Sequence, residues 1–238
     1  MLKSSPYLTI DQVNHWGEFI DSTDVYDHLL SCHNYTGNDL FKDESWAGYG
    51  ILQGPKTIDR QKLNDQLLKN HGDTKPLYAQ ETLWPGNKYH PGYSLDDIRK
   101  NAFVILMSAS MINFADMNGN SSSGFSGELD PDQINPEIHR EINRIWDFFE
   151  NIPFYDLNSH QELVDKGYCL AQPGEYYLIY LPDGGRVKVG LPLKIFEAGW
   201  INAQNTGLTE KIGKVKGESV FNAPDNNDWL LLINNPDK

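Results

Sequence analysis

The order of hydrophobic patterns along the chain constrains the fold most. Over the first 150 or so of 238 residues, short apolar runs alternate with segments of helical period; after that the helical period vanishes. Thr9 followed by "IDQVNHWGEFIDS" predicts a helix capped by Thr9. "DHLLSCHNY" predicts a short buried strand, and "SWAGYGILQG" another. "TIDRQKLNDQLLKNHGD" predicts a helix with Thr57 as cap, Leu63, Leu67 and Leu68 on one face, and Gly72 as its end. "KPLYAQETLW" is the next strand. "SLDDIRKNAFVILMSAS" is the next helix, capped by Ser94, with Ile98, Ala102, Ile105 and Ala109 at helical spacing. "MINFADMNGN" is one more strand, and "NPEIHREINRIWDFFENIP" a helix with Asn135 as cap and Pro136 at its first position. Alternation of this kind predicts parallel strands joined by helical crossovers.

The second pattern begins after a boundary expected between Pro153 and Ser159. "GYCLAQ", "EYYLIYLP", "GRVKVGLP", "KIFEAGWINAQ", "ESVFNAP" and "DWLLLINN" are short segments divided by Pro-Asp-Gly-Gly, Asn-Thr-Gly and Pro-Asp-Asn-Asn. Those dividers are turn chemistry, and strands at this spacing predict a small antiparallel β-sandwich. The expected organisation is therefore α/β over residues 1–155 and all-β over residues 156–238.

Composition removes several function classes. The net charge of −13 leaves nothing to neutralise a run of phosphates, which excludes nucleic acid as a partner. The two cysteines, Cys32 and Cys169, lie far apart and read as unpaired buried thiols. The residue before His33 points to the opposite face of a strand, so Cys32 and His33 make no catalytic pair. The N-terminal sixteen residues hold no apolar stretch of signal-peptide length, and no segment approaches a membrane span. The reading is a soluble chain without an export signal.

The chemistry-bearing residues fall at the C-terminal ends of the expected parallel strands: His33 and Tyr35, then Gln53, then Gln80 and Glu81, then Asp116. Parallel α/β folds build their sites on that edge. Glu81 is followed by Trp84, Tyr89, His90 and Tyr93, a carboxylate set among aromatics. Aromatic faces stack on the C–H faces of sugar rings, while Gln53, Gln80, Asn87 and His90 suit hydroxyl groups. Against this, Glu81 as a loop residue capping the next helix, and His33 as a satisfied buried histidine, are the plainer readings. Asp116 reads equally as a hydroxyl-binding group and as a turn former before Asn118-Gly119. Asp116, Asn118 and Asn120 mimic a calcium loop only in part, because no glutamate follows at the needed spacing, so no metal and no cofactor are expected. Arg99, early in its helix, reads as half of a surface ion pair, with a carboxylate at the mouth of the site as the alternative.

Some of these stretches resemble a known family. "LYAQETLW", "DDIRKNAFVILMSAS" and "MINFADMNGNSSSGFSG" are similar to the last strands and helices of apiosidase-like glycoside hydrolase (β/α)₈ barrels. The tail, with its "YLPDGG", "WINAQNTG" and "AP…DW" elements, resembles the C-terminal sandwich, labelled collagen-binding, that often follows that barrel. The resemblance implies the C-terminal portion of a (β/α)₈ (TIM) barrel followed by a small antiparallel sandwich, acting on O-glycosidic bonds of poly- or oligosaccharides in a secreted or periplasmic setting. It implies that Glu81, on the seventh barrel strand, is the nucleophile of a retaining hydrolysis. His33, Tyr35, Gln53, Gln80, Trp84, His90 and Asp116 are then the substrate-binding residues.

The sequence departs from that pattern in the number of units, about three to four strand–helix units where a closed barrel has eight. The general acid/base has no counterpart among these residues. The expectation is an impaired or inactive chain that binds the missing barrel half or associates with itself. The alternative function is a non-catalytic carbohydrate-binding or adhesive protein acting through the sandwich, with Tyr176, Tyr177, Tyr180 and Trp200 as its aromatic surface.

Overall fold

A computed structural model describes residues 8–33, 37–54, 57–71, 75–83, 93–114 and 135–236. The chain forms two compact units, and neither is continuous in sequence. One comprises residues 1–94 and 110–134, the other residues 95–109 and 135–238.

The first unit carries helix α1 (Ile10–Thr23), strand β1 (Gly50–Gln53), helix α2 (Arg60–Asn70), strand β2 (Leu77–Leu83) and strand β3 (Ser110–Phe114). The three strands form one parallel sheet in the order β1-β2-β3. Thr9 caps α1 as expected, in a reciprocal box with Gln12. For α2 the cap is Asp59, not Thr57. The Asp59 carboxylate accepts from Lys62 N–H, while the Thr57 hydroxyl accepts from Asp59 N–H one step earlier. Asp is the stronger cap acceptor, so the helix starts where the carboxylate sits.

The strand expected over "DHLLSCHNY" does not form among the described residues of that stretch. Asp24 takes the N–H groups of Tyr26 and His28 on its two carboxylate oxygens, and that local turn competes with a ladder. In the run that follows Leu29 is 73% exposed, while Leu30 to His33 are half-buried. The run meets the segment just before β1 where Gly48 N–H donates to Leu30 C=O at 2.8 Å.

The free edge of β1 is instead covered by Asp39, which is buried. Its carboxylate accepts from Ile51 N–H at 2.8 Å and from Phe41 N–H at 2.9 Å. Burial pushes the Asp39 carboxyl above its usual range, and those two donors pull the other way. Gly50 leaves room for this arrangement, since a Cβ there would stand 2.8 Å from Asp39 Oδ2. A carboxylate thus occupies the edge that a further strand would otherwise pair with.

Helix α1 buries only Gly17, whose Cα passes so close to the Trp46 indole that an added Cβ would come within 2.3 Å of it. Trp46 Nε1 donates to Asn14 Oδ1 at 3.2 Å, which fixes the indole against the helix. Meanwhile Trp16 (55%), Phe19 (52%) and Ile20 (46%) stay exposed on α1.

The second unit holds helices α3 (Leu95–Met107) and α4 (Pro136–Glu150) together with strands β4 (Asn158–Ser159), β5 (Tyr168–Gln172), β6 (Tyr176–Leu181), β7 (Arg186–Val189), β8 (Phe196–Asn202), β9 (Thr209–Val215), β10 (Ser219–Asn222) and β11 (Trp229–Asn234). Six strands form an antiparallel sheet in the order β4-β5-β6-β11-β8-β9, and β10 pairs with β7 in a two-stranded ribbon. The six segments expected from sequence are all strands. "TEKIGKV", exposed and rich in Lys and Gly, was missed and is β9, the edge strand, with Gly213 at φ 112°. Asn135 caps α4 as expected, accepting from Glu137 and Ile138 N–H.

The apolar runs of β6 and β11 follow from burial on both faces. Tyr177, Ile179, Leu181, Leu231 and Ile233 pack with Val187, Val189 and Phe221 of the ribbon. Tyr180, on the opposite face of β6, stacks on Phe103 of α3 with ring centroids 4.9 Å apart. Helix α3 ends at Met107, so Ala109, expected inside it, lies beyond and takes a left-handed φ of 53°.

Arg99 is the other correction. It is buried, and its Nε and Nη2 donate to Asp228 Oδ2 and Oδ1 at 2.9 and 3.0 Å. It also pairs with Asp96. Asp228, fully buried before β11, accepts further from Tyr180 OH and from Gln204 Nε2, each at 3.2 Å. The Asp of the "DW" element is therefore a clamp between α3 and the sheet, and no surface pair. Its neighbour Trp229 donates from Nε1 to Asp225 Oδ1 at 2.8 Å. Of the four aromatics proposed as a binding strip, Tyr177, Tyr180 and Trp200 are buried and Tyr176 is half-buried. Among the described residues no helix is long and apolar enough to cross a membrane.

Candidate functional site

The C-terminal ends of β1, β2 and β3 carry Gln53, Glu81 and Asn113. The parallel register pairs Gln53 with Gln80. A regular β2 would therefore set Gln80 beside Gln53 and turn Glu81 to the other face. The strand is not regular there. Ala79 pairs with Ile112 and Leu83 with Phe114, so Gln80, Glu81 and Thr82 stand opposite the single residue Asn113. Glu81 absorbs the extra length with a φ of 53°, left-handed backbone that a non-glycine residue rarely adopts.

This distortion brings Gln53 Nε2 within 2.8 Å of Glu81 Oε2, to which it donates. Glu81 N–H donates to Asn113 Oδ1 at 3.4 Å. The Thr82 hydroxyl closes the bulge by donating to Ala79 C=O at 3.1 Å, and Thr82 itself is buried. A half-buried carboxylate is thus fixed by an amide donor at one oxygen and by its own strained backbone. Such a group can accept hydrogen bonds from hydroxyls, stabilise positive charge, or attack an electrophilic carbon.

The remaining sequence candidates are distributed as follows. Gln80 is half-buried on β2, and His33 is half-buried between α1 and β1. Tyr93 is half-buried just before α3. Tyr35, Trp84, Asn87, Tyr89, His90 and Asp116 lie outside the described residues, as does Gly72. Gln53 and Glu81 are the pair the structure brings together. Asn113 was missed. Its signal was a polar residue inside "MINF", between apolar neighbours at a strand's C-terminal end. Among the described residues no group of three or more His, Cys, Asp or Glu side chains is placed to hold a metal ion.

No protein-family model matches the sequence. No curated protein matches it either. Solved structures do. One, described as a glycoside hydrolase, superposes with a TM-score of 0.71 at 14% identity, over 93% of this chain and 60% of that one. A glycoside hydrolase family 5 structure from Bacteroides vulgatus ATCC 8482 gives 0.71 at 15% identity, over 96% of this chain and 60% of its own. The likeness is one of fold. The chain spans about 60% of the length of these two structures, in keeping with part of a barrel and the sheet that follows it.

Proposed function

We propose that the chain is the C-terminal part of a glycoside hydrolase barrel of the apiosidase-like kind, followed by a β-sandwich, and that Glu81 is the nucleophile for O-glycosidic bonds in poly- or oligosaccharides. The observation that carries the reading is the strained Glu81 at the tip of a parallel strand, held at 2.8 Å by Gln53. Backbone held in a sparsely populated region costs on the order of 1–3 kcal/mol and gathers at functional sites. The likeness to glycoside hydrolases supports the fold on which such a carboxylate would act.

Hydrolysis with retention takes two carboxyl groups, one attacking the anomeric carbon and one protonating the leaving oxygen. This chain supplies the first. The second comes from the barrel units outside it, which also cover the apolar side chains exposed on α1. Alone, the chain is impaired at the steps that move a proton.

A leaving group that departs without a proton separates the two roles. With 2,4-dinitrophenyl glycosides, a Glu81 carboxylate oxygen bonds to the anomeric carbon while the bond to dinitrophenolate breaks, and no acid is required. Across a panel of such glycosides, the 238-residue chain should release a burst approaching one dinitrophenolate per chain and then turn over slowly, because no base activates water. Glu81→Gln should abolish the burst. A panel without any burst, or a burst that survives the substitution, contradicts the assignment.

A further inference from the structure

We propose that Asn113 is a positioning residue for Glu81, its side-chain oxygen accepting from the Glu81 N–H where the bulge interrupts the register. The argument begins with the backbone. Every N–H in a sheet interior needs an acceptor, and three residues of β2 face one residue of β3 at this point. The register gives Glu81 no directly paired residue on β3 at that mismatch. Asn113, the residue opposite the bulge, offers Oδ1 to it at 3.4 Å. Thr82 Oγ1 secures the other side of the bulge on Ala79 C=O.

An apolar side chain at 113 would leave the Glu81 N–H without that acceptor, and the left-handed φ of 53° would lose one of its supports. The carboxylate would then swing away from Gln53 Nε2. Asn113 acts on the chemistry only through the conformation of Glu81. Its importance for catalysis rests on the function proposed above; its effect on the backbone does not.

Two variants separate these levels. Asn113→Asp keeps an acceptor at Oδ1, and Asn113→Ala removes it. Amide exchange of Glu81, followed by NMR in the 238-residue chain, should speed up roughly five- to ten-fold in Asn113→Ala and stay near wild type in Asn113→Asp, as expected for one net hydrogen bond. Unchanged protection at Leu77 to Ala79 shows that the sheet is intact. The dinitrophenolate burst of Asn113→Ala should slow at least ten-fold with the glycoside's half-saturation concentration unchanged.

Glu81 exchange that is the same in Asn113→Ala and wild type overturns the proposal. So does acceleration spread evenly over Leu77 to Leu83, which marks general loosening of the strand. Exchange that responds as expected in a chain whose wild type gives no burst upholds the positioning role and overturns the catalytic reading alone.

Discussion

Replacing Asp228 by alanine will destabilise the antiparallel unit by about 3–5 kcal/mol, the range for removing one partner of a buried ion pair. Asp228 is fully buried and receives four donors: Nε and Nη2 of Arg99, the Tyr180 hydroxyl and Gln204 Nε2. Burial disfavours the charge on Arg99, and the Asp228 carboxylate outweighs it, so the guanidinium stays charged in the folded protein. Without Asp228 that charge keeps, among the described residues, the partly exposed Asp96 and the more distant Glu141, at 3.8 Å, as counter-ions. Denaturant unfolding followed by tryptophan emission reads the loss, because Trp200 and Trp229 lie in this unit. The double variant Arg99→Met, Asp228→Leu should recover most of it, since two apolar side chains leave no buried charge behind. A single variant within about 0.5 kcal/mol of wild type, the usual range for surface changes, would show that the clamp is not a buried pair in solution.

Glycine at position 81 will be more stable than alanine at the same position by about 1 kcal/mol. In an ordinary strand the order is reversed, because glycine loses more backbone entropy on folding than alanine does. Position 81 differs because its φ is 53°, where a Cβ is crowded and glycine is at ease. Both variants lose the carboxylate and the Gln53 bond equally, so their difference isolates the backbone. Both should also lose the dinitrophenolate burst. A backbone that favours glycine over alanine at a position whose carboxylate carries the chemistry is the signature of strain kept for function. Alanine equal to or more stable than glycine would mean that residue 81 is not left-handed in solution, and the site geometry would fall with it.

The parallel strands could be read from the alternation of periods, and the caps Thr9 and Asn135 from local sequence, because local hydrogen bonding decides a cap. The strand expected at Asp27 to Tyr35 was misjudged for a physical reason. Its apolar run was visible, but the side chain of Asp24, three residues upstream, takes the N–H groups that would start the turn into a ladder. Strand β9 was missed because an edge strand can lie exposed with few apolar residues, as Thr209–Val215 does.

At the site, Glu81 and Gln53 were legible as polar ends of apolar strands. Their hydrogen bond was not, because strand alternation puts Gln80 beside Gln53, and only the bulge reverses that. Asn113 was hidden for the same reason, since its role exists only opposite the extra residues of β2. Arg99 was read as a surface charge because nothing in a helix's own sequence reveals a carboxylate 129 residues away.

The central claim is that Glu81 is a nucleophile, and the most direct measurement is the site of a trapped sugar. The chain would be incubated with 2-deoxy-2-fluoroglycosyl fluorides, whose fluoride leaves without a proton, and then digested and mapped by mass spectrometry. The expected result is one fluoroglycosyl unit per chain, on the peptide spanning β2, at Glu81, and none on Glu81→Gln. An adduct on a different carboxylate, equal labelling of the Glu81→Gln chain, or no adduct with any sugar of the panel would contradict it.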